Sequence, residues 1–224
     1  MTDPSSSSSS LRSRSIELPH LPDSPAARRA IETVLENESE ALANHSMRSY
    51  LFSMIALGQH PGPVSEEDRE LIFFAGVLHD IGTTDLLKGE PRFELQGADF
   101  AADFLRKEGM TEGRIDKVWE AIALHTTPEI PFRRGTVSST MALGVFMDFG
   151  FGTEAVSDEL ASAMFERYPR LDLAKSFVGR LVEQVEEIPA KGARFTMAGE
   201  LHREQLANGM TELEQGVRQA RWRG

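Results

Sequence analysis

Apolar side chains recur at helical spacing along nearly the whole chain, and this periodicity constrains the fold more than any other feature. The run 71–78 follows the i, i+3, i+4, i+7 pattern of an amphipathic helix. Phe73 and Val77 add apolar side chains to its remaining face, so we expect this helix to be central. No run of four or more residues alternates strictly between apolar and polar, as a half-buried strand would. The sequence therefore predicts an all-α fold.

Local signals predict where individual helices begin and end. The Ser-Pro pair at 24–25 indicates a helix start, and a long helix is expected to run from there through Leu42. A second helix is expected to begin at Asn44, and Ser65 with an acidic residue three positions later resembles a capping box that opens a third. Further helices are predicted around residues 96–108, 113–125, 138–148, 156–167, 171–188 and 199–222, with a candidate break at Asn208–Gly209.

A change of composition divides the chain into a tail and a body. Residues 1–21 are rich in serine at their start and poor in apolar side chains, so they cannot bury enough surface to offset the entropy lost on ordering. We expect this segment to be a disordered tail and residues 22–224 to fold as a single domain. The chain has 224 residues, of which 40% are hydrophobic, and this is sufficient for a substantial core.

Composition also narrows the classes of function. The absence of cysteine excludes disulfides, thiol nucleophiles and cysteine-bound metals. The chain carries 24 Lys and Arg against 35 Asp and Glu, a formal charge of -11 that disfavours binding to nucleic acid or an anionic membrane. No apolar run approaches the roughly 18 residues of a membrane span, and no signal peptide is evident. We expect a cytoplasmic protein that acts on a small molecule, with formation of a homo-oligomer left open.

Two imidazoles and two carboxylates stand out because they interrupt apolar helices. His79 and Asp80 end the most apolar helix, where an unpaired polar group would be costly. His45 lies on a helix face with small residues, which leave room for a neighbouring helix. Asp148 ends another apolar run, and Gly144 one turn earlier allows close approach of two backbones. Each of these polar groups is expected to find a partner inside the fold.

The four polar residues together form a ligand set for one divalent cation. Two imidazoles and two carboxylates suit Zn²⁺, Fe²⁺ or Mn²⁺, and the carboxylates balance the charge of the ion. The adjacent pair alone has a simpler interpretation, in which His79 hydrogen-bonds to Asp80 or Asp80 caps the end of its helix.

The residue order H…HD…D resembles the HD-domain superfamily of metal-dependent hydrolases. The resemblance is closest to the cyanamide hydratase-like subgroup, spans residues 22–150, and extends to the segments NHSMRSYLF, FAGVLHDIGTT, RFELQGADFAADFL and VWEAIALHTTP. It implies a helical bundle with a metal site in its core, zinc as the metal, and four ligands, which are His45, His79, Asp80 and Asp148. It also implies that His125 faces the metal pocket as a substrate contact or proton donor. His125 is the only histidine between residues 81 and 147, which favours a single-metal site.

The resemblance implies two candidate reactions. In the first, water activated by the metal adds to a small nitrile such as cyanamide to give urea, with His125 or Asp80 transferring the proton. The alternative is hydrolysis of a nucleotide or phosphomonoester, which requires cationic groups near the metal. The available cations are Arg48, Lys88, Arg92, Arg133 and Arg134. Thr83 stands where phosphohydrolase-like HD proteins often carry Lys, which disfavours the alternative. A metal-containing regulatory module without catalysis is a third interpretation.

Three further residues receive structural interpretations. Glu94 and Asp99 lie near a predicted helix start, where the helix dipole favours carboxylates without any function. Trp119 is interpreted as a core residue rather than a stacking platform.

Overall fold

A computed structural model describes residues 17–59 and 62–222, and within these ranges the chain forms ten α-helices and no β-strand. The prediction of an all-α fold is confirmed. The helices are α1 (Pro25–Asn37), α2 (Glu40–Leu57), α3 (Glu66–Leu78), α4 (Phe93–Lys107), α5 (Glu112–Leu124), α6 (Thr136–Asp148), α7 (Asp158–Arg167), α8 (Leu173–Glu187), α9 (Met197–Asn208) and α10 (Glu212–Gln219). Most of the predicted serine-rich tail and His60 lie outside the described residues.

Serine caps set the first three helix starts. Ser24 caps α1 ahead of Pro25, and Ser65 caps α3, as the sequence predicted. The single long helix predicted through Leu42 is wrong. Helix α1 ends at Asn37, and Ser39 begins α2 by accepting a hydrogen bond from the Leu42 backbone at 3.4 Å. The start of α2 at Ser39 therefore divides a stretch in which apolar residues continue at helical spacing.

The position of His45 within its helix follows from that earlier start. Because α2 begins at Glu40, His45 lies in the second turn instead of at the first residues of a helix that starts at Asn44. The side chain of His45 is thereby held by a fully formed helix that is buried along most of its length.

Helix α3 occupies the centre, as its apolar surface predicted. All residues of the run 71–78 are buried, and α3 contacts α1, α2, α4, α5 and α6. This places the C-terminal end of α3, and with it the His79-Asp80 pair, in the middle of the bundle.

The most extensive helix pair, α2 with α6, approaches closely at Gly144. A Cβ atom added to Gly144 would lie 2.7 Å from the Ser53 backbone nitrogen and closer still to the Ser49 carbonyl oxygen. The close approach predicted from Gly144 and the small face of α2 is therefore confirmed. It brings the ends of α2 and α6 that carry His45 and Asp148 together.

A second close approach fixes the turn that follows the His-Asp pair. The chain forms a 3-10 turn at Ile81–Thr83, and it lies directly on α4. A Cβ atom added to Gly82 would lie 2.8 Å from the Gly97 backbone nitrogen, so only glycine fits. Asp80 consequently lies between α3 and a turn that is packed tightly against α4.

The last helices close the fold. Helix α9 ends at Gly209, whose φ of 69° is left-handed, so the predicted break is confirmed. Within the described ranges, buried side chains from Ala27 to Trp222 pack into a hydrophobic cluster, and the single domain over residues 22–224 stays a prediction. Trp119 is not a core residue, because it is 36% exposed and its Nε1 donates to Asp99. No helix in the described ranges is long and apolar enough to cross a membrane.

Candidate metal centre

Three buried side chains meet at the centre of the bundle. His45 comes from α2, His79 follows the last residue of α3, and Asp80 is its neighbour. Nε2 of His79 lies 3.2 Å from Nε2 of His45 and 3.2 Å from Oδ2 of Asp80, and Nε2 of His45 lies 3.6 Å from the same oxygen. A tetrahedral ion with bonds of 2.0–2.1 Å has ligands about 3.3–3.4 Å apart. The spacing of these three atoms therefore fits a small divalent cation.

The hydrogen bonds behind the imidazoles select the tautomer that a metal requires. His79 Nδ1 lies 2.9 Å from the Gly76 carbonyl oxygen, and His45 Nδ1 lies 2.7 Å from Oδ2 of Asp148. Both partners only accept, so both Nδ1 atoms carry hydrogen and the Nε2 atoms are left to bind an ion. Burial lowers the pKa of His45. Burial also lowers the pKa of His79, but the Asp80 charge outweighs this and raises it, so the cluster attracts positive charge.

Asp80 lacks the hydrogen bonds that a buried carboxylate needs. Neither of its oxygens has a hydrogen-bond partner in residues 17–59 and 62–222, although the side chain is 1% exposed. Burial alone would raise the pKa of Asp80, but the His79, His45 and His125 imidazoles lower it to about 2. An ionised carboxylate that accepts no hydrogen bond in a dry interior is costly unless a cation neutralises it. The donor set present therefore fits a divalent metal, which His45, His79 and Asp80 would hold.

Asp148 lies behind His45 and outside this group of three. Its Oδ2 contacts Nδ1 of His45, on the side of the ring away from Nε2, and both its oxygens accept from Arg48 at 2.7 and 2.8 Å. Burial would raise the pKa of Asp148, but the Arg48 charge and the His45 contact hold it well below its ordinary range. The geometry is that of a carboxylate that orients a histidine ligand. The role of Asp148 as a fourth ligand stays a prediction.

Two buried arginines, Arg48 and Arg170, bind Asp148. The sequence analysis predicted neither contact. Arg48 also donates to the carbonyl oxygens of Tyr168 and Pro169 at 2.9 Å. Arg170 donates to the backbone oxygen of Asp148 and to its Oδ1. The signal for Arg48 was available, since it lies one turn after His45 on α2. Arg170 lies between α7 and α8 with no periodic pattern to mark it.

His125 follows the last residue of α5 and lies on the far side of Asp80. Its Nε2 is 3.9 Å from Oδ1 of Asp80, and its Nδ1 lies 2.6 Å from the Ile122 carbonyl oxygen. Nδ1 therefore carries the hydrogen and Nε2 is an acceptor. Burial lowers the pKa of His125 to about 3, with His79 adding to the effect. The structure thus brings His125 to the cluster as a neutral acceptor.

A small cavity opens from the cluster, with a volume of about 80 Å³. Apart from the three ligand candidates, its polar lining in the described part of the chain consists of His125 and Thr126. The remaining lining residues are apolar and are Val145, Phe146, Phe149, Phe151, Phe177, Met197 and Leu213. The cavity is therefore small and almost entirely apolar apart from the groups near the cluster.

Glu94 is a buried residue at the edge of this site, which its position in the sequence did not indicate. It lies in the first turn of α4, as predicted, but it is fully buried. Its Oε1 accepts from the Thr126 hydroxyl at 2.6 Å, and its Oε2 lies 3.7 Å from Nε of Arg92. Burial raises the pKa of Glu94 above its ordinary value. The purely helix-terminal interpretation of Glu94 is therefore incomplete, whereas Asp99 remains a surface partner of Trp119.

Comparison with known proteins agrees with the geometry. A family model described as the HD domain matches residues 42–177, a span that contains the whole cluster together with His125 and Asp148. The chain belongs to the HD domain family. Two relatives are cyanamide hydratase DDI2 and cyanamide hydratase DDI3 of Saccharomyces cerevisiae, each 26% identical over 160 residues, or 70% of this chain and 71% of the relative. The predicted resemblance to HD-domain metal-dependent hydrolases and their cyanamide hydratase-like subgroup is confirmed.

Proposed function

We propose that this HD domain protein hydrates a small nitrile, with cyanamide as the first candidate and urea as its product. The observation that carries the proposal is the cavity of about 80 Å³ beside the His45, His79 and Asp80 cluster. Cyanamide has three heavy atoms, and a cavity of this size accommodates it. The names of the two yeast relatives support the same reaction.

The metal that we propose is zinc, with iron or manganese as alternatives that the same ligands accept. A divalent cation at this place supplies Lewis acidity, which for Zn²⁺ lowers the pKa of a coordinated water to about 7. His45, His79 and Asp80 would hold it, and Asp148 would keep the His45 ring in place from behind.

We assign proton transfer to His125. Its ring hydrogen is used by the Ile122 carbonyl, so its Nε2 accepts a proton from the attacking water and passes it to the nitrile nitrogen. One C–O bond forms while one π bond of the C≡N group breaks, and the isourea product rearranges to urea without a cosubstrate. The apolar walls keep other water away from the reacting carbon. Asp80 is assigned to the metal, since both its oxygens face the cluster.

The alternative, phosphate-ester hydrolysis, lacks the cations that it requires. In the described residues, no Lys or Arg lines the cavity. The five cations that the sequence offered pair or lie elsewhere. Arg48 is bound to Asp148, and Arg92 donates to the Ala123 carbonyl. Arg133 pairs with Glu129, Arg134 pairs with Glu120, and Lys88 is exposed at another surface. A transferring phosphoryl group would therefore meet apolar walls in place of a positive clamp.

The proposed function is tested by incubating metal-loaded protein with cyanamide and measuring urea. We expect urea formation that stops in the His79→Ala variant and persists in His20→Ala, since His20 is an exposed histidine paired with Glu17. A panel of nucleotides and a chromogenic phosphate ester should give no phosphate. Absence of urea from the loaded protein, or phosphate release that His79→Ala abolishes, would contradict the proposal.

A further inference from the structure

The hydrogen bond between Thr126 and Glu94 restricts what the cavity can recognise. Thr126 lines the cavity next to His125, and its hydroxyl donates to Oε1 of Glu94 at 2.6 Å. The short distance is typical of a hydroxyl that donates to a carboxylate. Glu94 is fully buried, so water does not compete for this bond.

A hydroxyl group has one hydrogen and two lone pairs. Because the hydrogen of Thr126 is used by Glu94, its oxygen can only accept a further hydrogen bond. Nε2 of His125 is likewise an acceptor, since the ring hydrogen is used by the Ile122 carbonyl. Among the described lining residues outside the metal cluster, both polar groups are therefore acceptors, and the others are apolar.

We propose that Thr126, held by Glu94, is a specificity-determining residue that accepts an N–H of the substrate, so that the site selects nitriles bearing an amino group over alkyl nitriles. This inference rests on the proposed function and names the substrate class within it. Cyanamide offers two N–H donors beside its nitrile, whereas acetonitrile has the same number of heavy atoms and a methyl group in the same place. A site that is built to bind a donor rejects an isostere that lacks it, because its acceptor is left unpaired.

The test compares cyanamide with acetonitrile in the wild type and three variants. Thr126→Val keeps the size and branching of the side chain but lacks the oxygen, and Thr126→Ser keeps the oxygen. Dissociation constants of both ligands are measured on metal-free protein by ligand-observed NMR, and kcat and KM for cyanamide are measured on metal-loaded protein. We expect Thr126→Val to lower kcat/KM and affinity for cyanamide about 10- to 100-fold, with acetonitrile unchanged. Thr126→Ser should stay within about threefold of the wild type.

Glu94→Gln separates a positioning role from a purely structural one. The glutamine amide can donate to Thr126 and occupy the lone pair that the substrate needs. We therefore expect KM for cyanamide to rise while kcat changes little. A structural defect would instead lower the melting temperature without changing the ratio of the affinity for cyanamide to the affinity for acetonitrile.

The outcomes separate this inference from the proposed function. Urea formation with an unchanged cyanamide-to-acetonitrile ratio in Thr126→Val would overturn the inference and leave the function standing. If the wild type binds cyanamide without hydrating it, the proposed function is wrong. The inference is then decided by whether Thr126→Val raises the dissociation constant of cyanamide. If the wild type binds neither ligand, both fail.

Discussion

Among single residues, Asp148 shows how a buried carboxylate that two arginines hold can orient a candidate metal-binding histidine. Arg48 and Arg170 both contact it, and its remaining contact is Nδ1 of His45. The arginines keep the carboxylate ionised, and the ionised carboxylate keeps the His45 hydrogen on Nδ1. Asp148 and its two arginines would therefore act on the proposed metal only through the His45 imidazole.

That arrangement predicts graded losses of metal affinity. His79→Ala removes a ligand and should abolish stoichiometric binding of zinc, because two ligands remain from the group of three. Asp148→Asn removes an orienting group and should weaken binding about 10- to 100-fold. Dissociation constants measured by competition with a chelator at fixed pH check both values.

The control for these variants is His20→Ala, which changes an exposed histidine and should leave the affinity for zinc unchanged. Equal losses in His79→Ala and Asp148→Asn would instead assign Asp148 to the metal as a ligand. Unchanged binding in both would reject the centre.

The sequence indicated which residues approach one another better than it indicated what each does. His45, His79, Asp80 and Asp148 interrupt apolar helices, and the cost of burying them predicted a meeting point in the core. Whether a carboxylate binds a metal or a histidine depends on the positions of its oxygens to within a few ångströms. The spacing of residues along the chain does not specify those positions. Glu94 was interpreted only as a helix-terminal carboxylate because its burial and its bond to Thr126 depend on contacts between α4 and the segment after α5.

For the helices, the crossing of α2 and α6 at Gly144 decides how the site is assembled. The two helices carry His45 and Asp148, which lie 2.7 Å apart across the crossing. Any side chain at Gly144 meets the backbone of α2, which cannot move aside as a flexible side chain could.

Gly144→Ala should therefore destabilise the protein by about 3 kcal/mol or more and weaken metal binding as well. The matched control is Gly179→Ala in α8, where an added Cβ has no neighbour within 4 Å. That variant should stabilise the protein by about 0.5–1 kcal/mol, because alanine is the better helix former. Chemical denaturation of both variants checks the signs, and equal changes would contradict the packing argument.

Helix ends were predictable where a capping serine or a C-terminal glycine marked them and less so elsewhere. Ser24, Ser65 and Gly209 sit at boundaries that the sequence predicted. The boundary between α1 and α2 was missed because apolar residues continue at helical spacing across Glu38 and Ser39. A cap overrides such a pattern when its hydroxyl satisfies one of the free backbone N–H groups in the first turn, here that of Leu42.

In the whole molecule, residues distant in sequence enclose the cavity. Its metal side comes from α2, α3 and the ends of α5 and α6, whereas Met197 and Leu213 come from α9 and α10. No spacing rule relates those two residues to His45, so sequence reasoning could predict a pocket but not its small volume.

Shortening the side chains of Met197 and Leu213, which line the cavity, should broaden the range of substrates. We expect a Met197→Ala, Leu213→Ala double variant to gain about tenfold in kcat/KM for N-ethylcyanamide relative to cyanamide, since each methylene in an apolar pocket is worth about 10- to 200-fold in discrimination. Leu206→Ala on α9 is the control, because this side chain is 71% exposed and does not line the cavity. An unchanged preference in the double variant would show that another part of the wall sets the size limit.

The tightness of this cavity also bears on inhibition. Rod-shaped triatomic anions such as azide and cyanate share the length of cyanamide, so they fit beside the candidate metal ligands and would bind a cation held there. A chemist seeking to block this protein would therefore begin with pseudohalides.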